Sequence, residues 1–511
     1  MRPARSTDIV VSCPGDGSTL GHVANQTAEE VAYAAAELRK AQPHWQALGP
    51  RRRAHWLALW RDWFLDNQDH LLTLVQQESG KSWGDASIEI LAAVESLNYF
   101  LEQGPLFLRG SRPKPVGVVN KLKRLSVEHF PYPLVGVITP WNYPLGMPML
   151  DIPAALIAGC AVLSKPSEFT PLTWMAAVDG WSQIGAPPVL SVVTGLGDVG
   201  AAVIDEVDMV QFTGSVRTGR EVGARAGRRL VPASLELGGK DAMIVLADAD
   251  LERAANGAVW GGYFNAGQTC VSIERVYVEK PAYDEFIARL IPKVAALRVG
   301  MDEPASFSTD FGAMANASQL GIVEGHVAQA VAEGARVLTG GRRTGSGLFY
   351  EPTVLVDVNN SMTCMQEETF GPLLPVMAVE DAREAVRLTN DSEFGLSASI
   401  WTSDLDRAER LASELQVGAV NINSVMMNVF QFPLPHAGWK SSGVGYRSGA
   451  SRGVLKYTRP QALVSDRYYA KSEVFWYPHR RRSGIIQRYV VRLLGARDWP
   501  RRLSISTGKI R

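Results

Sequence analysis

The chain has 511 residues, 46% hydrophobic and 20% charged, which is too long for one ordinary domain and too apolar for intrinsic disorder. Its 52 basic residues balance 52 acidic ones, so no single-signed field surrounds the molecule and binding to nucleic acid through bulk charge is excluded. The balance hides a basic tail: from Arg467 onward ten Arg and two Lys face only Glu473 and Asp498, a net of +10, and the first 466 residues carry −10.

In chain order, the opening MRPARSTDIVVSCPGDG holds an apolar run of only Ile9 to Val11, too short for an export signal. The four cysteines (Cys13, Cys160, Cys270, Cys364) are scattered without a C-x-x-C pair, so a reducing cytoplasm is expected, with neither a disulfide framework nor a metal site. Residues 27–103 carry apolar positions at helical spacing and predict a helical lead-in. The segment GSRPKPVG (110–117) interrupts that pattern, and VVNKLKRLSVEHFPYP predicts an edge or inter-subunit strand. From Leu134 the texture changes: LVGVIT, AVLSKPS, VLSVVTG and MVQFTG each precede a helical stretch. Four such units predict a doubly wound parallel sheet that binds a nucleotide. Within them, the apolar run 145–163 contains Asp151, Pro148 and Pro153, which favours a buried segment over a membrane span. After Gly239 a second αβ pattern predicts a second α/β domain. Near the end, GIIQRYVVRLLG (484–495) predicts a basic amphipathic helix. Such a helix suits an anionic membrane surface, through residues 480–499, as well as packing on the acidic body.

Several residues in this frame have chemistry of their own. Gly195, Gly197 and Gly200 match G-x-G-x-x-G between a strand and a helix, which by itself fits a dinucleotide turn and a plain glycine turn equally. In FTGSVRTG, Gly214 lets backbone approach a ligand and Ser215 stands where a helix N-terminus offers free N–H groups. Lys165 and Glu168, just past a strand end, form either a surface ion pair or a grip on ribose hydroxyls. Cys270, in NAGQTC, is placed for thiolate chemistry, unlike Cys160 in the aliphatic IAGCAVL. Glu236 ends an apolar strand before two glycines, so a raised pKa and a general-base role are expected. Asn142, in TPWNYP, offers a rigid amide of the kind an oxyanion hole needs, or forms a turn.

Taken together, TPWNYP (139–144), KPSE (165–168), FTGSVRTG (212–219), LELGGK (235–240), GQTC (267–270), EETFGP (367–372) and WKSSGVG (439–445) resemble the aldehyde dehydrogenase superfamily over residues 25 to 466. NAGQTCVSIERVYVEK resembles its succinate-semialdehyde dehydrogenase branch. The resemblance implies two doubly wound α/β domains and a bridging hairpin: an NAD-binding domain (1–111 and 135–238), a catalytic domain (239–454), an oligomerisation segment (112–134 and 455–466) and the tail (467–511). It implies a homodimer or homotetramer, and oxidation of a small aldehyde, such as succinate semialdehyde, to its acid. Cys270 would be the nucleophile, Glu236 the base, and Asn142 with the Cys270 backbone N–H the oxyanion hole. Trp141, Lys165, Glu168, Gly197, Gly200, Phe212, Gly214, Ser215, Leu237, Glu368 and Phe370 would line the cofactor site, Glu168 favouring NAD over NADP. Two rivals stand beside this reading: a coenzyme-A acylating aldehyde dehydrogenase, against which Glu236 argues, and a silent membrane-associated scaffold. The sequence departs from the family at Arg447, where many members carry a glutamate. An exposed arginine is expected there, with recognition of a substrate carboxylate as the alternative.

Overall fold

Runs of β-branched and aliphatic residues too short for helices build two sheets. The computed structural model describes residues 8–117, 120–468, 471–473, 476–479 and 481–503. It divides into two units, Met1–Arg109 with His129–Pro460, and Gly110–Glu128 with Gln461–Arg511.

In the larger unit, a six-stranded sheet runs in the order Gly443–Val444, Ala233–Glu236, Met209–Thr213, Leu134–Ile138, Ala161–Lys165, Leu190–Val192. The last five strands are parallel, and the short Gly443–Val444 strand closes the edge antiparallel to Glu236 and Leu235. Chain order reverses between Leu134–Ile138 and Met209–Thr213, which is where ligands bind in open α/β sheets. The loops leaving those two strands carry Trp141 and Asn142 on one side and Gly214 and Ser215 on the other. A seven-stranded sheet follows, in the order Arg336–Thr339, Thr353–Val356, Leu373–Val379, Ile273–Glu279, Asp241–Val245, Ser397–Trp401, Ala419–Ile422. Only Leu237 to Lys240 separate the end of the first sheet's Ala233–Glu236 from the start of the second sheet's Asp241–Val245.

The predicted helical lead-in is present as Ala28–Ala47, Gly49–Asp66, Gln68–Ser79 and Trp83–Phe107. Thr27 and Glu30 form a capping box at its start, and the side chain of Ser82 caps the fourth helix, satisfying N–H groups that a helix leaves open. Trp45, Trp60, Trp174 and Trp181 meet edge to face beneath the first sheet, with centroids 5.3–6.2 Å apart. The apolar run around Asp151 forms the helix Gly146–Ala158, every residue of which is buried. A hairpin of Ile9–Ser12 and Thr19–Val23 was not legible in the sequence, because its strands are short and half polar. No described helix is long and apolar enough to cross a membrane.

In the smaller unit, Lys123 pairs with Asp466 and, at 3.1 Å, with Glu473. Strands Lys123–Pro131 and Thr458–Asp466, which begin or end there, form a two-stranded sheet. The expected tail helix spans Arg481–Gly495; Arg480, the first of the three consecutive arginines, lies outside the described residues, as do 504–511.

One buried ion pair fixes the loop that approaches the link between the sheets. Lys240 Nζ donates to Glu274 Oε2 at 2.6 Å, and the same carboxylate accepts the backbone N–H groups of Thr369 (2.7 Å) and Phe370 (2.8 Å). Both side chains are buried, and Phe370 is held at a positive φ of 49°, a conformation that costs about 1–3 kcal/mol and persists only when its surroundings enforce it. Glu274→Gln should leave Lys240 as a buried cation without its counter-charge and destabilise the protein by about 3–5 kcal/mol, read as a lower urea midpoint.

Candidate active site

The loop carrying Cys270 is wound against its preferences. After helix Leu251–Tyr263, residues Asn265, Ala266 and Gly267 all take left-handed backbone (φ 55°, 55° and 71°). Asn tolerates this region and Ala does not. At Gly267 a Cβ would sit 2.2 Å from the carbonyl oxygen of Gly371, so no side chain fits. Hydrogen bonds hold the turn in place. Asn265 Nδ2 donates to the carbonyls of Asn142 and Gln268, both at 3.1 Å, and Asn265 N donates to Asp85. Gln268 Nε2 donates to the carbonyls of Asn265 and Ala313. The strand Ile273–Glu279 begins three residues past Cys270, so the thiol sits at the entrance to the second sheet, half-buried.

Asn142 and Glu236 converge on this loop from the first sheet. Asn142 Nδ2 donates to the Gln268 carbonyl at 3.0 Å, leaving its second N–H for another acceptor. Glu236 ends its strand with both carboxylate oxygens buried and without a hydrogen-bond partner among the described residues. Burial raises its pKa to about 7; the positive charges of Arg447 and Lys456 pull the other way. Burial also pushes the Cys270 thiol up to about 12, against the Arg447 charge, and Glu236 is among the carboxylates whose field reaches it. The resting pair is therefore a neutral thiol beside a carboxyl poised near neutrality. The backbone N–H of Gly214 donates to the Glu236 carbonyl at 3.1 Å, tying the glycine turn to the end of that strand.

Of two groups that act on Glu236, the sequence gave no signal for His436 and a misleading one for Arg447. His436 Nε2 lies 3.6 Å from Glu236 Oε2, and burial, helped by Arg447 and Lys456, lowers its pKa to about 3, so the imidazole is neutral. A lone His in LPHAGW has no pattern to betray it. Arg447 is not the exposed arginine its place after a glycine turn predicts: it is buried, with Nε 3.1 Å from Asp151 Oδ2 and a second nitrogen on Thr213. Lys456 reaches the other oxygen of Asp151 at 3.5 Å. Asp151, deep in the buried helix, is what the two cations come inward to meet. With its guanidinium engaged in this way, Arg447 is not available to a substrate carboxylate.

Of the residues expected around a cofactor, Trp141, Gly214 and Ser215 lie on the loops at the reversal point of the first sheet, and the others lie on the elements described next. Lys165 is buried at the end of its strand; its ammonium donates to the Pro166 carbonyl at 3.1 Å and lies 4.0 Å from Glu168. Gly200 faces the stem of Lys165. Gly197 opens the helix Gly197–Glu206, whose first turn has no side-chain cap. Ser215 caps the helix Val216–Arg228, and the ring of Phe212 lies where a side chain on Gly214 would go. Leu237 packs beneath Gly219 of that helix. Trp141 and Phe370 meet edge to face at 5.4 Å, and Glu368 accepts the Gly239 N–H at 2.8 Å, its carboxyl pushed up by burial and by Glu274. Two helix N-termini with open N–H groups, an ammonium with donors to spare and an aromatic pair suit a nicotinamide dinucleotide.

A narrow cavity is lined by Cys270, Thr269 and Tyr143 together with Met147, Trp260, Phe264, Met426, Val429 and Phe430 among others. The thiol is thus reached from one side by this cavity, while the carboxylate and the glycine turn belong to the first sheet.

Comparison with known proteins accords with this arrangement. A "4,4'-diapolycopene aldehyde oxidase" of Methylomonas sp is 39% identical over 476 residues, 93% of this chain and 88% of that protein. A protein of Mycobacterium ulcerans named "Putative succinate-semialdehyde dehydrogenase [NADP(+)] 2" is 40% identical over 474 residues, 92% of this chain and 90% of that one. The crystal structure of an NAD-dependent aldehyde dehydrogenase from Sinorhizobium meliloti superposes with a TM-score of 0.86 at 34% identity, covering 92% of each chain. The profile of the Aldehyde dehydrogenase family matches residues 1–463, and the chain belongs to that family.

Proposed function

We propose that this enzyme oxidises an aldehyde to the carboxylic acid with a nicotinamide dinucleotide, using Cys270 as nucleophile and Glu236 as base. The observation that carries the reading is the buried, unbonded carboxylate of Glu236 within electrostatic reach of the Cys270 thiol. In this reading the domain of residues 1–111 and 135–238 holds the coenzyme, residues 239–454 supply the thiol, and 112–134 with 455–466 bridge subunits.

Glu236 takes the thiol proton, and the thiolate of Cys270 adds to the aldehyde carbon. The oxyanion that forms is stabilised by the free N–H of Asn142 and the backbone N–H of Cys270. Trp141, Lys165, Glu168, Gly197, Gly200, Phe212, Gly214, Ser215, Leu237, Glu368 and Phe370 would hold the coenzyme, which would supply the hydride acceptor needed for the adduct on Cys270 to become a thioester. Glu236, having passed its proton to solvent, then takes one from water. The hydroxide attacks the thioester, releasing the acid and restoring the thiol. A neutral His436 and the absence of hydrogen bonds to the carboxylate keep Glu236 basic rather than spent in an ion pair.

Glu168 supports NAD as the preferred coenzyme. Its carboxylate can accept from a ribose hydroxyl and repels a 2′-phosphate at the same place. Relatives are named for both coenzymes, NADP for the Mycobacterium ulcerans protein and NAD for the Sinorhizobium meliloti enzyme, and Glu168 supports the NAD reading in this chain.

Three measurements test the reading. Cys270→Ser should abolish turnover, and Glu236→Gln, which removes the acceptor of both the thiol proton and the water proton, should slow the first turnover and the steady state alike by about 100-fold or more; ordinary steady-state turnover by Glu236→Gln would remove it from the role. The rate should rise with pH through a limb near 7, as the Glu236 carboxyl loses its proton. Arg447→Met should move that limb to higher pH, because Arg447 favours the charged carboxylate. Finally, kcat/KM should favour NAD over NADP by about tenfold or more, the gap of roughly 1.4 kcal/mol that one misplaced charge readily supplies, and Glu168→Ser should narrow it.

A further inference from the structure

The cavity lined by Cys270 has a wall that is mostly apolar. Met147, Trp260, Phe264, Met426, Val429 and Phe430 present thioether, aliphatic and aromatic surface, and Trp260, 38% exposed, carries that surface out to the mouth. The polar groups on the wall already have partners. The Glu89 carboxylate accepts from Lys81 at 2.5 Å and from the backbone N–H groups of Leu145 and Gly146, both at 2.9 Å. The hydroxyls of Thr269 and Tyr143 bond each other at 2.5 Å.

The cations nearest the wall are equally committed. Lys81 is buried against Glu89 and over the Tyr143 ring, 4.0 Å from its centroid. Arg447 does not line the cavity: two of its nitrogens are on Asp151 and Thr213, and the third lies 3.8 Å from the sulfur of Met147. Among the described residues no lysine, arginine or histidine lines the cavity. A substrate carboxylate entering it would lose its water and gain no counter-charge, a loss that only pairing offsets. An apolar chain loses nothing and gains contact along the whole wall, and the two methionines adapt to its shape.

We propose that the substrate is an uncharged aldehyde with an apolar body, an extended aliphatic or aromatic chain whose carbonyl end meets Cys270, and not a short semialdehyde carrying a carboxylate. The proposal rests on the reading of Cys270 as nucleophile, and its test separates the two. Cys270→Ala, which cannot form the covalent adduct, is titrated by calorimetry with decanal and with succinate semialdehyde. Decanal should bind at least tenfold more tightly; equal or reversed affinities overturn the proposal whatever the enzyme's activity. In the native enzyme, kcat/KM for decanal should exceed that for succinate semialdehyde by about 100-fold, and a higher value for succinate semialdehyde overturns the proposal and leaves the aldehyde chemistry standing. Val429→Arg, which places a cation on the wall, should shift the ratio toward succinate semialdehyde by at least tenfold, and Phe430→Arg serves if that variant does not fold. An unmoved ratio in a folded variant shows that the chain of the substrate lies elsewhere. If no aldehyde is oxidised with either coenzyme, the catalytic reading fails, and the Cys270→Ala titration alone judges the cavity.

Discussion

Removing water from one carboxylate is the constraint around which this molecule is arranged. Glu236 is buried with neither oxygen hydrogen-bonded among the described residues, an arrangement that raises its pKa and that a protein optimised for stability alone would avoid. Left to desolvation, a carboxyl at this depth would stay protonated and useless as a base. Arg447 and Lys456 restrain that rise through their charge, and Asp151 anchors them at a distance so that neither closes on Glu236 as an ion pair. The result is a group neutral enough to remain uncommitted and acidic enough to ionise near neutral pH.

Comparable tension occurs in the backbone around it. Ala266 and Phe370 hold left-handed conformations, one in the turn before Cys270 and the other in the loop pinned by Glu274. Each is surrounded by bonds that leave it no relaxed alternative: Asn265 and Gln268 lace the first turn to Asn142 and Ala313, and Glu274 grips two consecutive N–H groups in the second. Strain of this kind is concentrated where groups must be aimed before a substrate arrives.

What the sequence revealed, and what it withheld, follows from the range of the forces involved. The strand-and-helix alternation after Leu134 was legible because apolar periodicity is local, and so was the burial of the segment around Asp151, since prolines and a carboxylate are incompatible with a lipid span. Cys270, Glu236 and Asn142 stood out because each is chemically odd for its immediate surroundings. Arg447 misled: a charged residue after a glycine turn is ordinarily exposed, and its counter-charge lies some 300 positions away in the chain, on the opposite side of a sheet connection. His436 was silent for the same reason, its meaning supplied only when folding places it beside Glu236. The apolar wall of the cavity is assembled from three separated stretches, around residues 88–92, 143–150 and 260–271, and a fourth at 426–430. No window of sequence contains it.

The bond from the Gly214 N–H to the Glu236 carbonyl makes one residue serve two structures at once. Its carboxylate is buried without a hydrogen-bond partner among the described residues, and its peptide holds the turn between the strand Met209–Thr213 and the helix Val216–Arg228. The end of one strand and the turn leaving its neighbour are thereby closed by the same peptide, and neither can shift without breaking that bond.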